Sequence, residues 1–245
     1  MNEKTNSETK VALITGANRG IGFETARELG ELGIRVVLGS RDLGLGKKAA
    51  AELAAKGIAA EAVRLDITKP ADHEATSAYL GDRYGKLDIL VNNAAINERS
   101  NTCLVYNPLL KNIFETNFFK TVELTQVLLP LIRKSPAGRI VNVSSVMGSM
   151  AMHADPKSRI YAFKNFSYDS SKTALNAFTI HLAYELRETK IKVNSADPGW
   201  VKTAMGGPNA PMELSEGGKT SVRLATLPED GPSCGFFKLE EALPW

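Results

Sequence analysis

The stretch Val11-Ala12-Leu13-Ile14-Thr15-Gly16-Ala17-Asn18-Arg19-Gly20-Ile21-Gly22 decides how the rest of the chain reads. Its first five residues predict a short buried strand, and Ile21–Leu32 predicts the helix that follows. Between them lies a turn with glycines spaced GxxxGxG. Glycines permit a tight turn and let a phosphate approach the backbone. The helix N-terminus then offers free N–H groups and a positive dipole end. The spacing is not the GxGxxG fingerprint. Its place between strand and helix still favours a nucleotide site over a plain connection.

Outward from this turn the same alternation repeats. Apolar runs at Val11–Thr15, Ile34–Leu38, Ala62–Leu65, Leu87–Asn92, Arg139–Val143, Ile191–Ser195 and Gly235–Leu239 predict strands buried on both faces. Helical stretches lie between them, at Ile21–Leu32, Leu43–Lys56, Ala71–Tyr84, Asn107–Lys134, Tyr168–Glu188 and Glu213–Leu227. Alternating β and α predicts a parallel sheet with right-handed crossovers. The expectation is one α/β doubly wound Rossmann-type domain over 10–245, with about seven parallel strands and helices on both faces, after a flexible tail at 1–9. Two segments follow strand C-terminal ends and lack clear periodicity. They read as substrate loops, at 147–167 and 205–215, because doubly wound sheets bind ligands at that edge.

The 245 residues hold 30 basic and 27 acidic side chains, scattered without a like-charge run. Nothing here calls for nucleic acid or an anionic membrane as partner. Cys103 and Cys234 are too few and too far apart for a disulfide framework or a cysteine metal cluster. His73, His153 and His181 lack zinc spacing, so no metal is expected. No apolar run approaches ~18 residues, so no membrane span is expected. The polar opening has no secretory apolar core, and the expected compartment is cytoplasmic.

Ser40-Arg41 ends the second strand. NAD-binding sheets place an acid near there for the ribose hydroxyls, whereas an arginine accommodates the 2′-phosphate of NADP. Arg41 and Arg19 together can clamp a phosphate bidentately. Asp42 reads as the N-cap of the next helix, with ribose contact as the alternative. Asp66, in Leu65-Asp66-Ile67, reads equally as an adenine contact or as a turn residue before Pro70. Asn92-Asn93-Ala94-Ala95 ends the fourth strand, either as a turn or as a brace between loops.

Tyr168-Asp169-Ser170-Ser171-Lys172 places a tyrosine and a lysine on one helix face. A nearby ammonium favours the phenolate, so the lysine is expected to lower the tyrosine pKa. Such a tyrosine exchanges protons near neutral pH. Alone, the pair also describes a solvated helix face. Val141-Asn142-Val143-Ser144-Ser145 ends the fifth strand, with a serine either to bond a carbonyl oxygen or to cap the next segment.

Taken in order, TGANRGIG, Asp66, NNAA, Asn117, NVSS and Tyr168-xxx-Lys172 resemble the short-chain dehydrogenase/reductase family. The resemblance runs from Lys10 to the end. Thr116-Asn117-Phe118-Phe119, Pro198-Gly199-Trp200-Val201-Lys202-Thr203 and Trp245 resemble its carbonyl-reductase branch. The resemblance implies a reaction set. Tyr168 would be the proton donor, and Ser145 rather than Ser144 would orient the carbonyl. Lys172 would tune Tyr168 and bond the nicotinamide ribose, and Asn117 would hold a water leading to Lys172. It also implies a cofactor path: Gly16, Asn18, Arg19, Gly20, Ile21 and Gly22 along the phosphates, with Arg41 beyond. Asp66 and Ile67 would lie at adenine, Asn93 and Ala94 at the adenosine ribose, and Pro198, Gly199, Val201 and Thr203 around the nicotinamide.

Two departures stand out. Ala95 replaces the family's usual glycine, and Ser145 and Tyr168 lie 23 positions apart rather than a dozen or so. In the carbonyl-reductase branch such an insertion covers a helix face used elsewhere for tetramers, so a monomer or homodimer is expected. Met147, Met152, Trp200 and Met205, with Met150, His153 and Met212 beside them, read as walls of an apolar pocket or as core and loop filler. Gly206-Gly207-Pro208 reads as a hinge. The expected activity is NADPH/NADP-dependent reduction of a small-molecule aldehyde or ketone. The alternatives are an NAD(P)-dependent alcohol dehydrogenase working oxidatively and a non-catalytic NADP-binding redox sensor.

Overall fold

A computed structural model describes residues 9–98 and 106–245. The tail expected at 1–9 lies outside the described residues apart from its last position, and so does Cys103. The elements run β1 (Val11–Thr15), α1 (Gly20–Glu31), β2 (Arg35–Ser40), α2 (Leu43–Ala54), β3 (Ala60–Arg64), α3 (Pro70–Tyr84) and β4 (Ile89–Asn92). There follow α4 (Asn107–Phe114), α5 (Lys120–Ile132), β5 (Arg139–Val143), α6 (Met150–Ala154), α7 (Phe166–Glu185), β6 (Lys192–Ala196), α8 (Lys219–Ala225), β7 (Gly235–Lys238) and β8 (Glu241–Ala242).

The strands form one sheet in the order β3-β2-β1-β4-β5-β6-β7-β8. Seven strands are parallel, as expected. The sequence reading did not include β8, a two-residue antiparallel strand on the edge. It is too short to carry a periodic pattern.

Each strand feeds two cores, which is why these runs read apolar throughout. Leu13, Val37, Leu90 and Ile140 meet Leu80, Leu124, Leu128 and Leu182 on one face. Ile14, Leu38, Val91 and Val141 meet Ala26, Leu29, Leu53 and Leu224 on the other. The sheet order reverses between β1 and β4, so the turns after those strands open a crevice at their C-terminal ends.

Two helices expected to be continuous are interrupted. Between α4 and α5 the chain makes a π-helical turn, Glu115–Phe119. The stretch Glu213–Leu227 splits into a 3₁₀ turn, Leu214–Glu216, and α8, with Gly217-Gly218 between. In the 147–167 segment the structure places a 3₁₀ turn, Val146–Gly148, and then α6. Among the described residues, no helix is long and apolar enough to cross a membrane.

Candidate active site

The glycine turn after β1 has the predicted form. Gly16 and Gly20 adopt φ of 65° and 62°, the left-handed region in which a side chain is strained. A Cβ on Gly22 would lie 2.5 Å from Asn93 Nδ2 and 2.8 Å from the Gly16 carbonyl oxygen. The turn is therefore packed against the end of β4. Asn93 holds it there: Nδ2 donates to the Thr15 carbonyl at 2.8 Å, and its backbone N–H donates to Thr15 Oγ1. Ala94 N–H donates to the same hydroxyl at 2.8 Å. Asn93 and Ala94 thus act as the brace between loops.

Beyond the turn, Asn18, Arg19, Ser40, Arg41, Asp42 and Lys48 line a cavity of about 540 Å³. The two predicted arginines share it. Lys48 was missed, because only the second turn of α2 brings it across from Arg41. Asp42 caps α2, with its carboxylate accepting from Leu45 N–H at 3.0 Å.

Asp66 makes the turn before α3. Its Oδ1 accepts from Thr68 N–H at 3.0 Å and Thr68 Oγ1–H at 2.8 Å. Burial acts to raise this carboxyl. The Thr68 bonds, with Arg41 and Lys69, prevail and hold it below the usual range. Ile67 has its side chain in the core, and its carbonyl accepts from the buried His73 ring.

On the other side of the crevice, the loop after β6 packs against the glycine turn. Positions added as Cβ atoms at Gly20 and Gly217 would meet Thr203 and Ile21. Val201 pairs with Met212, and Trp200 Nε1–H donates to the Gly206 carbonyl at 2.8 Å. Lys202 also bonds Glu213. The segment expected to hinge at Gly206-Gly207-Pro208 is thus stapled across its base.

At the centre stand the serine and the tyrosine. The Ser145 hydroxyl lies beside the Tyr168 phenol and acts to lower it, while Ser145 Oγ accepts from Met147 N–H at 3.2 Å. Ser144, buried, points its hydroxyl at the Lys172 carbonyl instead. The two serines thus face different neighbours. Lys172 lies one helical turn from Tyr168, its Nζ 5.6 Å from the ring centroid, and donates to the Val143 carbonyl at 2.7 Å.

Here one expectation is corrected. Burial pushes the Tyr168 phenol up rather than leaving it lowered by Lys172, and Asp197 and Asp169 add to the effect. Burial also brings the Lys172 ammonium down to about 7. Desolvation disfavours the charged form of both groups, and at this depth it outweighs their attraction.

Asn117 sits in the π-helical turn. Its Oδ1 accepts from Ile96 N–H at 2.9 Å, and its Nδ2 donates to the Ile96 carbonyl at 2.9 Å and to Ser171 Oγ at 3.1 Å. π-turns occur often at functional sites. Beneath the site runs a polar row that the sequence reading did not contain. Asn92 Nδ2 donates to Asn142 Oδ1, Asn142 Nδ2 donates to Thr179 Oγ1, and Thr179 shares a bond with Ser195. The row ties the ends of β4, β5 and β6 together.

The family model for short chain dehydrogenases matches residues 10–214. The chain belongs to the short-chain dehydrogenase family. It is 35% identical to carbonyl reductase (NADPH) 1 of Mus musculus, covering 98% of this chain and 99% of that protein. The Sus scrofa protein of the same name is 34% identical, covering 98% and 95%. Among solved structures, the NADPH-bound carbonyl reductase from chicken fatty liver superposes with a TM-score of 0.85 at 30% identity, covering 97% and 99%. Salutaridine reductase from Papaver somniferum gives 0.80 at 29%, covering 93% and 99%. Within the short-chain dehydrogenases, this chain is therefore carbonyl-reductase-like.

The walls expected for this dehydrogenase's substrate divide into two groups. Met147 and Met152 are half-buried, whereas Trp200 and Met205 are 53% and 47% exposed. His153 ties the insertion down, with Nε2 3.0 Å from the Met147 carbonyl oxygen and 3.4 Å from Asp169 Oδ2.

Proposed function

We propose that the protein reduces an aldehyde or ketone to an alcohol with NADPH, and that Tyr168 gives the proton. The observation that carries this reading is Ser145 beside the Tyr168 phenol, with Lys172 one helical turn from the tyrosine and its Nζ 5.6 Å from the ring centroid.

The residues present suit such a cofactor. Gly22 leaves no room for a side chain at the turn, and Arg19, Arg41 and Lys48 supply cations at the far cavity. Arg41 and Arg19 would hold the 2′-phosphate. Gly16, Asn18, Gly20 and Ile21 would line the phosphates, and Pro198, Gly199, Val201 and Thr203 would bracket the nicotinamide. When bound, the cofactor supplies the hydride.

The chain's own groups supply orientation and the proton. Ser145 orients the carbonyl oxygen toward Tyr168. Tyr168 is protonated across the neutral range because burial disfavours its phenolate, so it is in the form needed to donate. Lys172 would bond the nicotinamide ribose, and Asn117 would hold the water path to it. Met147 and Met152 favour an apolar substrate that Trp200 and Met205 adjoin. The insertion, lying against α7 through His153 and Asp169, supports a monomer or homodimer.

Fluorescence titration with NADPH and NADH, followed by carbonyl-dependent NADPH oxidation, tests the reading. Tighter NADPH binding and turnover are expected. Equal binding of both cofactors, or no turnover across aldehydes and ketones, refutes it.

A further inference from the structure

Asp197 is a buried acid that the proposed chemistry leaves unused. It follows β6 and is 2% exposed, at a depth where carboxylates are ordinarily paired. Instead it accepts from backbone amides. Its Oδ1 takes Val146 N–H at 3.0 Å, and the Gly199 N–H lies near enough to favour the charged carboxylate. Its own N–H donates to the Phe237 carbonyl at 2.7 Å, which seats it against β7. Val146 directly follows Ser145, and Gly199 lies in the Pro198–Thr203 loop. One carboxylate therefore ties the serine to the loop opposite it.

The charges around it come from three elements. Burial raises this carboxyl, and the Val146 and Gly199 amides, with Lys238 on β7 and Arg159 in the insertion, act against it without overcoming it. On α7 it faces Tyr168, and its negative charge opposes ionisation of that phenol, as does Asp169. Lys172 on the same helix is directed at Val143.

We infer that Asp197 is a positioning residue for the reduction. Its carboxylate sets Ser145 against the Pro198–Thr203 loop through the Val146 N–H. This inference rests on the function proposed above. Asp197 touches neither reacting group, and it acts through Val146, Gly199 and the field at Tyr168.

Three variants test it: Asp197→Asn, Asp197→Ala and Tyr168→Phe. Asparagine keeps an acceptor oxygen for Val146 and Gly199 and removes the charge. Its kcat should stay within about fivefold of the parent, while the alkaline limb of the kcat–pH profile moves to lower pH by about half a unit or more. Alanine removes acceptor and charge. Its kcat should fall about tenfold or more, with a raised carbonyl KM. An unmoved alkaline limb in Asp197→Asn, or an Asp197→Ala enzyme within about threefold of the parent, overturns the inference. If the alanine variant does not fold, the asparagine pH profile decides alone. Turnover by Tyr168→Phe would overturn the site reading itself. An inactive Tyr168→Phe beside parent-like Asp197 variants would remove only the role of Asp197.

Discussion

The Ser145 hydroxyl, two residues past the end of β5, lies beside the Tyr168 phenol in the first turn of α7, across the insertion that separates them in sequence. This proximity joins the two groups that would face a carbonyl. Tyr168→Phe removes the proton and keeps the ring. Turnover should fall by roughly 10²–10⁴, with NADPH affinity nearly unchanged. Steady-state NADPH oxidation and fluorescence titration read the two effects, and near-normal turnover would exclude Tyr168 as donor.

Ser145→Ala removes the partner of that phenol and spares Ser144, whose hydroxyl faces the Lys172 carbonyl. We expect a drop in kcat of roughly 10²-fold. Ser144→Ala should cost no more than about tenfold. If the two variants lose activity equally, the distinction between the serines fails.

Arg41→Ala takes one guanidinium from the cavity it shares with Arg19 and Lys48. Hydrogen bonds to a charged phosphate are worth roughly 1.5–3 kcal/mol each, so NADPH affinity should fall about tenfold or more. NADH affinity should change little. Equal losses for both cofactors would rule out a 2′-phosphate contact at Arg41.

Gly22→Ala forces a Cβ to within 2.5 Å of Asn93 Nδ2. The brace from β4 to the glycine turn must then shift. Overpacking of this kind costs about 1–3 kcal/mol. Thermal unfolding should show the loss, and NADPH titration should show weakened binding. A variant with the parent's melting temperature and affinity would contradict the close packing of this turn.

Lys172 makes stability depend on pH. Burial lowers its ammonium from 10.5 to about 7, so the unfolded chain binds more protons between those values. Stability is then fully present above about 10.5 and is lost as pH falls through about 7. Over that window the cofactor-free protein should gain on the order of a few kcal/mol as pH rises. Denaturant titrations at pH 7 and 9.5 measure the gain. Lys172→Met should flatten the slope, and an unchanged slope in that variant would assign the effect elsewhere.

Much of this molecule is legible in its residues. Val11–Thr15 and Leu87–Asn92 read as buried strands because both faces of β1 and β4 meet helices, which leaves no polar alternation. The turn from Gly16 to Gly22 reads from its glycines, since positive φ at Gly16 and Gly20 and contact at Gly22 exclude side chains. Asp42 read as a cap, and it is one. These features depend on neighbours a few residues away.

Other features exist only once the chain is folded. The π-helical turn at Asn117 arises beside contacts with Ile96 and Ser171, which are remote in sequence. The polar row from Asn92 through Asn142 to Ser195 depends on the register of three strands. Lys48 joins Arg19 and Arg41 only because α2 crosses in front of the cavity.

The sequence by itself determined the alternating α/β order, the glycine turn and the order of the serine, tyrosine and lysine. Each follows from local periodicity or backbone freedom. Tertiary structure alone decided the direction in which burial shifts Tyr168 and Lys172 and the burial of Asp197 beside Val146. A pKa depends on the depth and surroundings of a group, and those are set by distant segments of the chain packing around it.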